Sequence, residues 1–279
     1  VLGANNNYNY TEDYVAWCWK AGGSKNTFNV DDVGYASAAA AGLDGGSINP
    51  SGASVGTKQG FSIIKYASGS SGVKTLSHGL LETPTFALVK TTGATSDWSV
   101  YHKDIGGVNN YLVLNAQTAN ATATEIWGSS LWTSSVFGIN SGTTTATNQD
   151  CIAYLWHDVP GLQKFGTYEG NNDSDGPFVE LGFRPSIVWT KNADSDASWL
   201  VYDGTRDKFN PITKALVQNS NSGGNANDGL VGSYPVDFLS NGFKIRNTTG
   251  EINSAHTFIY CAWADVPTVD LYGGGANAR

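Results

Sequence analysis

The sequence has no methionine, only three cysteines, only 14% charged residues and no apolar run long enough to cross a bilayer. Each shortage excludes something. A spanning helix needs about 20 consecutive apolar residues, so no membrane insertion is expected. Val1-Leu2-Gly3-Ala4 has neither the basic start nor the apolar middle of a signal peptide. Sixteen Lys plus Arg stand against twenty-four Asp plus Glu, a net charge of −8. Without a basic run there is no phosphate-neutralising surface, so no nucleic-acid partner is expected, and anionic headgroups would repel the chain. The missing initiator, with Val at position 1, leads us to expect a processed product or a piece of a longer polypeptide. Cys18, Cys151 and Cys261 are odd in number and stand at unmatched positions. They read as small buried hydrophobes, neither disulfides nor zinc ligands, and free thiols fit assembly in a reducing cytoplasm.

What is abundant is turn chemistry and aromatic mass. Gly (34), Asn (25), Ser (26) and Thr (25) dominate, beside nine Trp and thirteen Tyr. The first set disfavours helices, and the second can fill a sizeable core. Tyr14-Val-Ala-Trp-Cys-Trp-Lys20, Cys151-Ile-Ala-Tyr-Leu-Trp-His157 and Phe258-Ile-Tyr-Cys-Ala-Trp-Ala264 align on Trp19, Trp156 and Trp263. Each places an apolar residue at every second position: Val15, Trp17, Trp19; Ile152, Tyr154, Trp156; Ile259, Cys261, Trp263. A period of two predicts strands. Asp158-Val-Pro160 and Asp265-Val-Pro267 end the second and third, since proline cannot donate to a ladder.

Between these markers, further blocks recur in order. Gly79 to Lys90 matches Gly182 to Lys191, Trp98-Ser-Val-Tyr101 matches Trp199-Leu-Val-Tyr202, and Leu112-Val-Leu-Asn115 matches Leu216-Val-Gln-Asn219. The expected fold is therefore all-β, two tandem, internally duplicated sandwich-like modules over residues 60–161 and 162–267. Residues 1–59 read as an N-terminal strand plus an extended linker, the strand ending an upstream module or being swapped. Ala36 to Ala41 is too short for a stable helix. Residues 268–279 form a Gly-rich tail.

Chemistry-bearing patterns are sparse. Gly52-Ala-Ser-Val-Gly56 matches a nucleophile elbow in letters, but a strand, Phe61-Ser-Ile-Ile64, follows where the motif requires a helix. His78, His102, His157 and His256 lack metal-ligand spacing and read as turn or surface imidazoles. Glu82, Glu125, Glu169, Glu180 and Glu251 repeat in no acidic pair, and the Asp158/Asp265 match reads as capping. No catalytic residue and no cofactor is expected. The one metal candidate is calcium at Asn171, Asp173 and Asp175, oxygens at alternate positions before Gly176; the twelfth-position Glu is absent and a plain turn is favoured. Tryptophans in repeated strand positions read as core. Tyr8, Tyr10, Trp127 and Trp132, in loop-like surroundings, are the surface-contact candidates. Loops Ala116 to Ser130 and Ser220 to Gly232 read as free to carry recognition.

A family resemblance emerges from ten ordered strings. They include Tyr14-Val-Ala-Trp-Cys-Trp-Lys-Ala-Gly-Gly23, Gly60-Phe-Ser-Ile-Ile64, His78-Gly-Leu80, Trp98-Ser-Val-Tyr-His102, Tyr111-Leu-Val-Leu-Asn115 and Ser134-Ser-Val-Phe137. Phe165-Gly-Thr-Tyr168, Asp175-Gly-Pro-Phe-Val179, Gly182-Phe-Arg-Pro185 and Asp237-Phe-Leu-Ser-Asn-Gly-Phe-Lys244 complete the set. The chain resembles uncharacterised domains in virion proteins of tailed bacteriophages, especially those of marine cyanobacteria and abundant ocean bacteria. It departs from their usual pattern at His157-Asp-Val-Pro160 and in the tail. The resemblance implies a non-enzymatic tail fibre or appendage, located in the virion and assembled in the host cytoplasm. It also implies a homo-oligomer, with a trimer as the guess, meeting other virion proteins and a host-surface glycan or protein. A capsid decoration protein and a polysaccharide-cutting tailspike are the alternatives.

Overall fold

The computed structural model describes residues 15–219 and 234–264. Among the described residues there is no α-helix, only nineteen strands and two short 3-10 turns. The first part of the chain gives β1 (Phe28–Val30), β2 (Val33–Tyr35), β3 (Gly52–Gly56), β4 (Phe61–Ala67), β5 (Gly72–Ser77) and β6 (Phe86–Thr91). It continues with β7 (Trp98–His102), β8 (Asn110–Val113), β9 (Ala121–Thr122), β10 (Val136–Ser141) and β11 (Asp150–Trp156). The second gives β12 (Gln163–Glu169), β13 (Phe178–Glu180), β14 (Pro185–Asn192), β15 (Leu200–Asp203), β16 (Leu216–Val217), β17 (Val236–Leu239), β18 (Gly242–Ile245) and β19 (Thr257–Ala264).

Two large sheets carry one topology. The run β4-β11-β6-β7-β8 in the first has the same strand order as β12-β19-β14-β15-β16 in the second. Registers agree as well: Phe61 and Phe86 both face Trp156, as Gln163 and Ile187 both face Trp263. The local ties recur too. The Trp98 N–H donates to Asn115 Oδ1 at 2.9 Å, and the Trp199 N–H to Asn219 Oδ1 at 2.7 Å.

Period-two strands give each sheet two usable faces, and both are covered. On β19, Phe258, Tyr260 and Ala262 enter one core while Ile259, Cys261 and Trp263 enter another. The chain is accordingly layered. β5 and β10 cover the outer face of the first sheet over Ile64, Tyr66, Val89 and Leu155. The two large sheets meet through Phe86, Val100, Phe165, Trp199 and Val201. The sheet β13-β18-β17 closes the far side over Val188, Leu200 and Phe258. A fully buried Phe or Leu is worth about 1.5–3 kcal/mol relative to exposure, so three such cores are the main cohesion.

Two expectations are corrected here. Residues 28–56, expected as linker, supply β1 to β3, which extend the first sheet beyond β4 to a total of nine strands. Three-residue strands held by long-range pairing leave no periodic run to find. The Trp19 segment, expected as a strand, joins no ladder: residues 15–24 are irregular and anchored by side chains. Trp17 Nε1 donates to Asp203 Oδ2 at 2.9 Å, and Trp17, Trp19 and Ala21 pack between the sheets.

Candidate functional site

The three aligned tryptophans converge. Trp19 lies 6.3 Å from Trp156 and 5.3 Å from Trp263 between ring centroids, and Trp156 lies 6.2 Å from Trp263. Their planes cross at 76°, 66° and 67°, edge to face, the arrangement that ring quadrupoles favour. The indole N–H groups of Trp156, Trp189 and Trp263 are buried without an acceptor. Their rings are all crossed by neighbours, with Trp189 at 70° to Trp263, so weak N–H to ring-face contacts are the available compensation.

Beside this cluster the two large sheets part to leave a cleft of about 500 Å³. Its floor is the inward face of the first sheet: Phe61, Ile63, Leu88, Tyr154, Trp156 and Trp98. Here the rings lie nearly parallel, Phe61 and Tyr154 within 6° and Tyr154 and Trp98 within 30°. Trp189, Trp263 and Gln218 come from the second sheet, and Trp19 from the N-terminal segment. The lining is almost wholly aromatic and aliphatic. Asn115, at the rim, is committed on both sides, accepting from the Trp98 N–H and donating to Asp97 Oδ1 at 2.8 Å. Burial raises the Tyr154 hydroxyl above its ordinary pKa, so it stays protonated. No carboxylate, imidazole, thiol or ammonium is among the described lining residues. Outside the lining, Lys90 Nζ is held by the Ser96 carbonyl and stands 6.0 Å from the Trp98 ring centroid.

The second sheet's counterpart of this corner is closed. Residues 117–120 cross from the first sheet: Asn120 N–H donates to Ala193 O at 2.7 Å, Ala119 N–H to Asp196 Oδ1 at 2.9 Å, and Gln117 O accepts from Ala197 N–H at 2.8 Å. Under them Trp199 is buried, its Nε1 donating to Val113 O at 2.9 Å. Lys191 is sealed beside it, donating to the Asn192 and Ser195 carbonyls.

A family model described as a domain of unknown function, DUF7483, matches residues 2–267. The chain belongs to the DUF7483 family. No curated protein and no solved structure matches it.

The residues singled out from sequence fall differently in this DUF7483 domain. Trp127 and Trp132, expected at the surface, are core: Trp127 is fully buried with Nε1 donating to Asn110 O at 2.7 Å, and Trp132 stacks on Tyr101 at 3.9 Å. Loop 116–130, expected to be free, is tied down by the bonds above and by Trp127. Tyr8, Tyr10 and the loop 220–232 lie outside the described residues. Of the tryptophans assigned to core by their repeat positions, Trp156, Trp199 and Trp263 are buried in it, whereas Trp19 and Trp98 are only partly buried against it; all but Trp199 also line the cleft.

In the calcium candidate, the oxygens are taken by the chain itself. Asn171 Oδ1 accepts from Asp173 N–H and Asn253 Nδ2, Asp173 Oδ1 accepts from Asp175 N–H, and Lys244 Nζ sits 2.9 Å from Asp175 Oδ1. The Lys244 ammonium, helped by Arg246, holds the Asp175 carboxyl below its ordinary pKa. Among the described residues no group of three His, Cys, Asp or Glu side chains could hold a metal.

The histidines are buried rather than at the surface, apart from His256, which is partly buried. His78 Nδ1 accepts from Leu80 N–H at 3.2 Å and its Nε2 donates to Thr133 O at 3.0 Å, while His102 Nδ1 accepts from Asp104 N–H at 3.2 Å. Ser54 sits in β3 and donates to Asn29 Oδ1 at 2.8 Å, with no base beside it. Cys151 and Cys261 are buried free thiols on opposite faces, whereas Cys18, expected buried, is exposed. Glu251 caps Ser198 N–H at 2.7 Å and Asp158 caps Phe165 N–H at 2.8 Å, both structural uses.

Proposed function

We propose that this chain is a non-enzymatic virion component, a tail fibre or similar appendage domain whose task is contact with a host surface. The cleft is the observation that carries the contact half of this proposal. It offers about 500 Å³ of aromatic surface at the junction of two rigid sheets, without an acid, base or nucleophile in its described lining. Such a site can hold a group but has nothing with which to turn it over. The virion half rests on the ordered strings that resemble tailed-phage domains, and family membership by itself adds no activity. Two same-order sheets packed face to face also suit a duplicated segment, and repeated copies would raise weak contacts to useful avidity. Host-surface glycans or proteins and other virion proteins are the proposed partners, with a homo-oligomer as the working form.

The test is adhesion. Fluorescently labelled protein is offered to candidate host cells, with a Trp98→Ala variant beside it. Saturable labelling that the variant loses supports the proposal. Absence of labelling on every host, or release of shortened surface polysaccharide, overturns it.

A further inference from the structure

We propose that the aromatic cleft receives a quaternary ammonium group, such as the trimethylammonium head of a choline-like ligand. This deepens the contact proposal above and rests on it. Three features of the lining point to that chemistry. The first is ring orientation. Trp19, Trp156 and Trp263 cross one another at 66° to 76°, three planes meeting as walls of a corner at one end of the nearly parallel floor rings. A planar ligand stacks on one plane, whereas a round tetrahedral cation can touch several ring faces together, and indole is the strongest face for it.

The second feature is the scarcity of hydrogen-bond acceptors. Asn115 spends its amide on Trp98 and Asp97, and the unpaired indole N–H groups of Trp156, Trp189 and Trp263 only donate, which leaves Gln218 and the Tyr154 hydroxyl as the acceptors on the described lining. A ligand rich in N–H or O–H donors would bury them at a cost, while a methylated ammonium donates none. The third is charge. The cleft lining carries no cation, so a positive ligand meets the negative faces of its rings on a chain whose net charge is −8. The protein already sets one cation against one of these rings, Lys90 on Trp98. That ammonium sits four residues along β6 from Phe86, the partner of Trp156, or about 13 Å, and so leaves the crossed corner open.

The probes are choline chloride and its neutral isostere 3,3-dimethylbutan-1-ol, titrated against the full chain and followed by tryptophan fluorescence and calorimetry. Choline should bind saturably and about tenfold more tightly than the isostere, the difference being the charge on the rings. Trp19→Leu should abolish choline binding with its near-ultraviolet circular dichroism otherwise retained. Trp132→Phe, in a different core, should leave it intact, which guards against reading a folding defect as a lost site. Equal binding of the isostere overturns the proposal in favour of a plain apolar slot, and so does failure of both to bind. Adhesion separates the two proposals. Cells that still label, with choline unable to compete, sink this inference and leave the contact function standing. If labelling is competed by free saccharides and not by choline, the cleft takes sugars and this inference is likewise overturned.

Discussion

Trp98 and Trp199 hold the same place in their sheets and meet opposite fates. Each backbone N–H is taken by an asparagine, and each carbonyl accepts from the chain that returns beside it, Leu114 N–H at 3.1 Å and Gln218 N–H at 3.0 Å. Trp199 is sealed at 1% exposure, while Trp98 stays half-buried at the cleft. Equal backbone frames with unequal covers leave one ring sealed in the core and the other accessible at the cleft.

The first expected outcome follows from that split. Trp199→Ala should cost about 3–5 kcal/mol, from the cavity it leaves and the Val113 carbonyl it strands. Trp98→Ala, on a half-open floor, should cost about 1 kcal/mol. Urea midpoints of the two variants decide it, and a larger loss for Trp98 would contradict the assignment.

How much of this was legible in the sequence depends on which force placed each residue. The Trp156 and Trp263 strands were legible because strand periodicity is written locally, whereas the Trp19 segment carries the same period and forms no strand. The meeting of the three rings in one cluster is a tertiary event. Residues 28–30 pair in parallel with 53–55, a contact that leaves no mark in a three-residue segment, so the linker expectation failed there. Trp127 and Trp132 sit among polar residues without alternation, and their burial comes from β5, β10 and Tyr101 closing over them. The cleft was invisible for a related reason: repeat position identifies the inner face of a sheet, but not where two inner faces part.

Acid should unfold the protein through its histidines. Burial lowers His78 to about 4 and His102 to about 3, with the Lys103 charge adding to the second. Both rings are thus held neutral in the fold, whereas the unfolded chain binds protons below about pH 6.5. The contribution of the two rings is complete above that value and falls as the pH drops towards 4, by up to about tenfold in the folding constant per pH unit for each ring. A His78→Gln variant, able to bond the same groups, should show a shallower decline in denaturation midpoints between about pH 6.5 and 4. Parallel profiles for the two proteins would show that His78 does not carry the effect.

Calcium should do nothing. Asp175 already has a cation in Lys244 Nζ, which also donates to Gly176 O at 2.7 Å, and Asn171 is bound into the Asn253 network. The melting temperature should be the same in excess calcium and in excess chelator. A calcium-dependent rise would mean that the ion displaces Lys244, and Lys244→Ala would then enlarge the rise.

Lys191 should offset part of the stability the protein loses on the alkaline side of neutrality. Its ammonium is wholly buried between the sheets and bonded to Asn192 O at 2.7 Å and Ser195 O at 3.4 Å. Burial pulls its pKa down to about 8, against the opposing pull of Asp196 and Glu251. The unfolded lysine keeps its proton to about 10.4, so from about pH 8 upward the unfolded state binds more protons than the folded one. The lysine's own contribution to stability therefore rises with pH through that window. The buried Cys151 and Cys261 thiols oppose it, because burial keeps them protonated while unfolded thiols ionise from about pH 8.5, and the buried Tyr66, Tyr168 and Tyr202 add to that opposition from about pH 10. Lys191→Met keeps the volume and removes the lysine titration, at the cost of leaving two carbonyls without their donor. Its denaturation midpoint should fall more steeply than the parent's between about pH 8 and 10. Parallel profiles for the two proteins would show that the ammonium is not desolvated by the sheets, and that the crossing segment at residues 117–120 does not seal this corner.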